Sequence, residues 1–194
     1  MIVTGGANGI GGRTSSSKIY TEDSGWEDFT RLPSQTNNHC QVTVGDSVYI
    51  VGGATNSGTT GDTYKLSMST KQWVKQSSLN TPRYAHGCAE WDGGVLVVGG
   101  LGGGARLSSV EKYDPVSNKW SILTPLPTNL TNSMQVLVWD NDLYVFGGYG
   151  IFGSLVNKKV YKLKKGEDTW EVLGVTLENI RPVFPALTLS TIHC

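Results

Sequence analysis

Four times along this chain a short run of aliphatic and β-branched residues stops at two glycines: Met1-Ile2-Val3-Thr4-Gly5-Gly6, Val48-Tyr49-Ile50-Val51-Gly52-Gly53, Val95-Leu96-Val97-Val98-Gly99-Gly100 and Leu143-Tyr144-Val145-Phe146-Gly147-Gly148. The first glycines lie 52 − 5 = 47, 99 − 52 = 47 and 147 − 99 = 48 residues apart. Self-similarity at such a period marks an array of supersecondary units, each unable to bury its apolar face without a neighbour. Solenoids and propellers are the architectures built that way.

The rest of each repeat reads as strands and turns. A tryptophan follows each first glycine at a nearly constant distance, 21 residues for Trp26, Trp73 and Trp120 and 23 for Trp170. One large aromatic per repeat in a fixed place predicts the packing of one sheet onto the next. Before it comes a strand carrying a tyrosine (Tyr20, Tyr64, Tyr113, Tyr161), then a variable turn such as Asp23-Ser24-Gly25 or Gly166-Glu167-Asp168. Proline-containing links (Leu32-Pro33, 79–82, Leu126-Pro127) cannot continue a ladder, and they feed apolar stretches over 39–44, 87–91 and 134–139. Polar turns (Gly45-Asp46, Asp92-Gly93-Gly94, Asp140-Asn141-Asp142) join these stretches to the glycine-ended strands as hairpins. The predicted unit is a four-stranded antiparallel meander. No segment shows a sustained 3.6-residue apolar period, so the fold class is all-β. Glycine, at 25 of 194 residues against a usual share of about 7%, fits a chain full of tight turns.

Charge excludes some partners. Sixteen Lys plus Arg balance sixteen Asp plus Glu, which leaves no basic footprint for nucleic acid and no polybasic membrane surface. No apolar run reaches the roughly 18 residues of a membrane span, and Gly5-Gly6 comes too early for a secretory apolar region. Three cysteines, Cys40, Cys88 and Cys194, lack paired spacing, so reduced thiols and a cytoplasmic setting are expected. Cys40 and Cys88 are one register apart and are expected to point to opposite faces. Asn129-Leu130-Thr131 is a glycosylation sequon that matters only in a secreted protein. The run Lys158-Lys159, Lys162 and Lys164-Lys165 reads as a solvated strand face that blunts an edge.

Two stretches imitate catalytic motifs. Thr4-Gly5-Gly6-Ala7-Asn8-Gly9-Ile10-Gly11 looks like the cofactor loop of short-chain dehydrogenases, and Tyr161 with Lys165 has the spacing of that family's catalytic pair. A dinucleotide loop must open a helix whose amino terminus holds the pyrophosphate, yet residues 12–20 have no helical pattern. The repeat already accounts for Gly5, Gly6 and Tyr161. His39 and His86 stand thirteen residues before their glycine pairs, where the other repeats have Met134 and Phe184. A metal would need a third or fourth ligand.

The succession of glycine pair, tyrosine, tryptophan and a Pro-Arg such as Pro82-Arg83, recurring every 47 or 48 residues, resembles the kelch repeat. The resemblance covers essentially the whole chain. Its glycines and tryptophans recur in all four copies, while Pro-Arg is complete only in the third; the others have Gln35-Thr36, Leu130-Thr131 and Arg181-Pro182. It implies a kelch-type β-propeller of four four-stranded antiparallel blades, with repeats over 1–33 plus 183–190, 34–82, 83–127 and 128–182. The ring is expected to close by pairing 185–190 with 1–4 in one blade, or to be a partial propeller, with a homo-oligomer expected if four blades do not close alone.

For function the resemblance implies a non-catalytic module without metal or cofactor, binding a protein or peptide at one end of the propeller. The binding positions it gives are the loops after the glycine pairs and the links to the innermost strands: Asn8, Arg13, Asn38, Asn56, Thr59, Tyr84, Leu101, Arg106, Asn132, Tyr149, Ile151 and Phe152. The arginines that grip acidic peptides in some kelch adaptors have no counterparts in the inner-link slots, which hold Asn38, Ala85 and Ser133. A metal-dependent enzyme of the kelch and galactose-oxidase-like group, with a metal near His39 and His86, and a secreted carbohydrate-binding or adhesion propeller are the alternatives.

Overall fold

The computed structural model describes residues 1–7, 12–128, 131–148 and 157–176. All twenty regular elements among them are strands. The first sheet has three strands, β1 (Ile2–Thr4), β2 (Ser17–Thr21) and β3 (Gly25–Asp28), in that order. A short β4 (Thr36–Asn37) lies on the link to the second sheet, which consists of β5 (Cys40–Val44), β6 (Ser47–Val51), β9 (Thr63–Ser67) and β10 (Gln72–Gln76), with the small hairpin β7 (Ala54–Thr55) and β8 (Gly58–Thr59) after its glycine pair. The third sheet is β11 (Gly87–Trp91), β12 (Gly94–Val98), β15 (Val110–Asp114) and β16 (Lys119–Leu123), again with a hairpin, β13 (Leu101–Gly102) and β14 (Ala105–Arg106). The fourth is β17 (Gln135–Trp139), β18 (Asp142–Phe146), β19 (Lys159–Leu163) and β20 (Glu171–Thr176). All pairings are antiparallel and sequential, so each four-stranded sheet is the expected meander. The fold is that of kelch-type propeller blades. The expected closure through 185–190 lies outside the described residues.

The third blade shows how the apolar pattern becomes a core. Val95, Val97 and Tyr113 are fully buried against the second blade, beside Tyr49, Val51 and Leu79. Leu96, Val98 and Val110 turn the other way, into a cluster with Leu143, Val145, Leu163 and Trp170 of the fourth blade. A strand covered on both faces reads as a continuous apolar run, because alternate side chains enter different cores.

The register corrects one reading of the repeat. The tryptophans do hold one place, since Trp26, Trp73 and Trp120 pair with Tyr20, Leu66 and Tyr113. The tyrosines hold two. Tyr64 and Tyr161 pair with Ile50 and Val145, two residues closer to the glycine pair than Tyr113, which pairs with Val95. A shift of two keeps the side chain on the same face, which is why the pattern survives. The hydroxyls find different partners: Tyr113 donates to Asn118 Oδ1 (2.8 Å), and Tyr64 to Asp62 Oδ2 (3.3 Å).

Where blades meet, the glycine pair fits into the next link. Gly52 and Gly53 have φ of 61° and 110°, and the Gly53 N–H donates to the Arg83 carbonyl at 2.8 Å. A Cβ on Gly52 would stand 2.6 Å from that carbonyl and 2.8 Å from the His86 ring. Both the conformation and the space thus require glycine. The first and third pairs repeat the joint, with Gly6 N–H donating to Thr36 O (2.9 Å) and Gly100 N–H to Thr131 O (2.8 Å).

Two expectations are overturned. Cys40 and Cys88 form a disulfide between β5 and β11, with Cα atoms 6.2 Å apart, within the usual span for such a bond. They do point to opposite faces of their own sheets, as Cys40 pairs with Val51 and Cys88 with Val97. In neighbouring blades those are the two faces that meet. The lysine run is not an edge device either, because β19 lies between β18 and β20. Lys158, Lys159, Lys164 and Lys165 are exposed, as a solvated face would be, and three of the run's charges are paired: Lys162 with Asp142 (2.8 Å), Lys164 with Glu167 (3.5 Å) and Lys165 with Asp92 of the third blade (2.6 Å).

Candidate functional site

In a meander, the loops after the second strand and the links to the next innermost strand emerge at the same end. Here they are knitted into a second layer of structure. β4 pairs with β7 and β7 with β8, while isolated bridges tie Ala7 to Arg13, Thr14 to Thr36, and Tyr84 to Leu101. The second and third glycine-pair loops thus stand up as small hairpins, each braced by a link, and carry their side chains on a rigid rim.

Side chains bind this rim across the first two blades. Arg13 donates from Nε to Asn37 Oδ1 (3.2 Å) and from Nη1 to Asn56 Oδ1 (3.3 Å), and Asn56 Nδ2 donates to Gln35 Oε1 (2.9 Å). Thr59 is exposed on β8, opposite Ala54. On the third blade Tyr84, Leu101 and Arg106 are brought together, since Leu101 pairs with both Tyr84 and Arg106. Asn132, on the link to the fourth blade, accepts from Ser133 Oγ (3.2 Å). Asn8, Tyr149, Ile151 and Phe152 lie outside the described residues. Gln35 and Asn37 were not singled out by sequence, although the polar run Ser34-Gln35-Thr36-Asn37-Asn38 marks them.

The slots of Asn38, Ala85 and Ser133 serve the backbone. All three residues have positive φ, of 53°, 51° and 53°. The Ala85 N–H donates to the Asn38 carbonyl and the Ser133 N–H to the Ala85 carbonyl, each at 2.9 Å. This runs a chain of peptide hydrogen bonds from blade to blade along the inner links. The left-handed conformation is costly for residues other than glycine, and the cross-blade bonds hold it in place.

Beneath the rim, Arg83 anchors its link. The guanidinium is fully buried and donates to Gly99 O (2.9 Å), Ser109 O (3.0 Å), Ser109 Oγ (2.8 Å), Thr81 O (3.2 Å) and Glu111 Oε1 (2.5 Å). Glu111 also accepts from the Asn80 and Thr81 N–H groups at 2.8 and 3.2 Å. Burial pulls Arg83 below its ordinary value, and the Glu111 carboxylate opposes that shift. Every polar group of the pair has a partner, so this is scaffold rather than a ligand for something outside.

The histidines are likewise built in. Thr4 Oγ1 donates to Gln41 Oε1 (2.8 Å) and lies 2.9 Å from His39 Nε2; burial pushes His39 down to about 4. Both ring nitrogens of His86 are shielded from solvent without a well-formed hydrogen bond. Burial, then the nearby Arg83 and His39 charges, push it down to about 3, with a weak opposing pull from the Val51 backbone. Among the described residues no three His, Cys, Asp or Glu side chains gather as a metal site would need.

The two ends of the blades differ in charge. The rim stretches 12–16, 54–60, 82–86 and 101–107 contain no Asp or Glu. The opposite turns carry Glu22, Asp23, Asp46, Asp92, Asp114, Asp140, Glu167 and Asp168.

Fold and rim together define an array of propeller blades with a loop-built end face. The kelch motif model matches residues 82–127, which is the third blade with its Pro82-Arg83. Kelch-like protein 35 of Mus musculus is 32% identical over 154 residues, covering 79% of this chain and 26% of that protein. Kelch-like protein 25 of Xenopus laevis is 32% identical over 163 residues, 77% of this chain and 28% of its own length. Kelch-like protein 35 of Homo sapiens reaches 35% over 130 residues, 66% and 22%. The chain belongs among the kelch-repeat proteins. It spans about a quarter of the length of these curated relatives.

Proposed function

We propose that this chain is a non-catalytic kelch module that binds a protein or peptide through the rim. The observation that supports it most is the bracing of β7–β8 by β4 and of β13–β14 by Tyr84, which presents variable loop residues on a fixed frame. Arg13, Asn37, Asn56, Gln35 and Tyr84 offer planar hydrogen-bonding groups and an aromatic face suited to an extended peptide. With no carboxylate in the described loop tips and no arginine in the inner-link slots of Asn38, Ala85 and Ser133, the partner segment is neutral rather than basic or acidic. The reading keeps the repeat divisions 34–82, 83–127 and 128–182, with 1–33 sharing a blade with 183–190. It includes no cofactor, nucleic acid or membrane surface, in keeping with zero net charge. A cytoplasmic location remains part of it, and there the Cys40–Cys88 bond would be open to reduction.

Random-peptide display against the purified chain tests the proposal. Selected peptides are expected to lose at least tenfold in affinity to Arg13→Ala or Tyr84→Ala, and to bind Asp46→Ala and Asp114→Ala unchanged. Failure to enrich any peptide, or affinity that depends on the acidic turns alone, would overturn it.

A further inference from the structure

At the inner end of the seam between the second and third blades, Cys40 opens β5 and faces Cys88 on β11. The repeat dictates that meeting. Cys40 stands twelve residues before Gly52, as Gly87 does before Gly99, and Cys88 stands eleven before Gly99, as Val136 does before Gly147. In the next seam Gly87 and Val136 are likewise face to face, so closely that a Cβ on Gly87 would collide with the Val136 side chain. Both seams bring these two positions together, and in one of them both positions carry sulfur. The Cα separation of 6.2 Å there lies within the usual span for a disulfide.

The seam between the third and fourth blades also shows that the joint needs no covalent bond. Gly87 and Val136 fill the same contact without one, with Val98 and Val145 packed behind them. Val51, Val97 and Val42 give the cysteines an equally apolar support, on which two thiols can rest. Both cysteines are half-buried, and neither is sealed in the core.

What the bond holds is the base of the rim. Asn38, two residues before Cys40, accepts from the Ala85 N–H (2.9 Å), and Ala85 lies three residues before Cys88. Beside Asn38 is Asn37, which accepts from Arg13 Nε (3.2 Å), and beside Ala85 is Tyr84, which braces β13–β14 through Leu101. A bridge at this point fixes the spacing of the two links that carry these groups.

We propose that Cys40 and Cys88 form a reversible redox site that sets how firmly the two links are held, with a glutathione-type thiol and its disulfide as the reacting pair. In the closing direction one cysteine thiolate attacks the small disulfide and releases one small thiol. The other cysteine thiolate then attacks the mixed disulfide and releases the second. The protein pair is oxidised by two electrons, the small disulfide is reduced to two thiols, and the two protons lost by the cysteines end on those thiols. The consequence for binding rests on the rim reading above, whereas the consequence for the free chain does not.

Equilibrating the full chain, carrying Cys194→Ser, with graded ratios of reduced and oxidised glutathione, followed by alkylation and mass measurement, reads the pair directly. Cys40 and Cys88 are expected to pass together from alkylated to protected as the ratio turns oxidising. A bond that persists at every ratio, or that never forms, would overturn the proposal. Hydrogen exchange of the free chain then compares the two states. The Ala85 amide, donated across this seam, should exchange about fivefold slower when oxidised, and the Ser133 amide, donated across the next, equally in both. Equal exchange at Ala85 would overturn the proposal too. Cys88→Ser, and Cys40→Gly/Cys88→Val, which copies the next seam, should each match the reduced chain under either condition; a redox response that survives in them counts against the site. Peptides selected on the rim should bind the oxidised chain about threefold more tightly. Equal affinity in the two states contradicts the rim's dependence on the bond, whereas failure to enrich any peptide counts against the rim reading alone and leaves the Ala85 contrast to decide the redox site.

Discussion

Tyr113 and Tyr20 hold the same place in the third and first blades, each opposite a tryptophan, and their surroundings could hardly differ more. Tyr113 has no exposed surface and packs among Tyr49, Val51 and Val97. Tyr20 packs on Trp26 (5.4 Å between centroids) and is 40% exposed. The repeat supplies each blade with the same seam residues, but only a neighbour makes them a core. Stability in such an array resides largely between units, so equal substitutions in the two blades should give unequal results.

The largest difference is expected at Glu111 and its first-blade counterpart Lys18. Glu111→Ala leaves the Arg83 charge buried without its carboxylate and should cost about 3–5 kcal/mol in urea unfolding. Lys18→Ala removes only an exposed pair with Asp28, and the urea midpoint should stay where it is. Tyr113→Ala should cost roughly 3–5 kcal/mol, while Tyr20→Ala should cost well under half of that. Equal losses at Tyr113 and Tyr20 would break the comparison.

Next comes the staple. Cys40 and Cys88 join the innermost strands of the second and third blades across 48 residues, and reduction, or Cys88→Ser, should cost on the order of 2–4 kcal/mol. Calorimetry with and without a reductant reads this directly.

Acid sharpens the contrast further. His39 and His86 sit at the first two seams, where the third has Met134. Their folded values, about 4 and about 3, lie below the unfolded value of about 6.5. Between those limits the unfolded chain binds protons that the fold refuses, so stability is complete above pH 6.5 and is lost on acidification, by at most about 1.4 kcal/mol per pH unit for each histidine. Urea midpoints from pH 7 to 4.5 should show the slope, and His39→Gln/His86→Gln should flatten it. The smallest effect is a gain: Ala85→Gly relieves a left-handed residue and should add about 0.5–1 kcal/mol.

How much of this the amino-acid order reveals depends on how local each feature is. Gly52 and Trp120 recur at fixed offsets because each does one job in every blade, so strand order, hairpins and seam tryptophans were legible. The tyrosine register was not, because Tyr64 and Tyr113 differ by two residues on one face and pattern counting cannot separate them. The disulfide was misjudged for a geometric reason: opposite faces of one sheet exclude a bond, whereas opposite faces of neighbouring sheets create it. At the rim, the loop positions of Arg13, Asn56, Tyr84 and Leu101 could be named from the repeat, but the Gln35 and Asn37 bonds depend on how β4 pairs with β7. The cross-blade chain through Ala85 is a backbone feature that side-chain identity does not encode.

A hydrogen-exchange footprint of the chain with a selected peptide bound tests the central claim, that recognition belongs to the rim, most directly. Protection should concentrate on residues 13–14, 35–38, 54–59, 84–85 and 101–106, with the turns at 45–46, 92–93 and 114–118 unchanged. Protection confined to those acidic turns, with the rim exchanging as in the free chain, would contradict it.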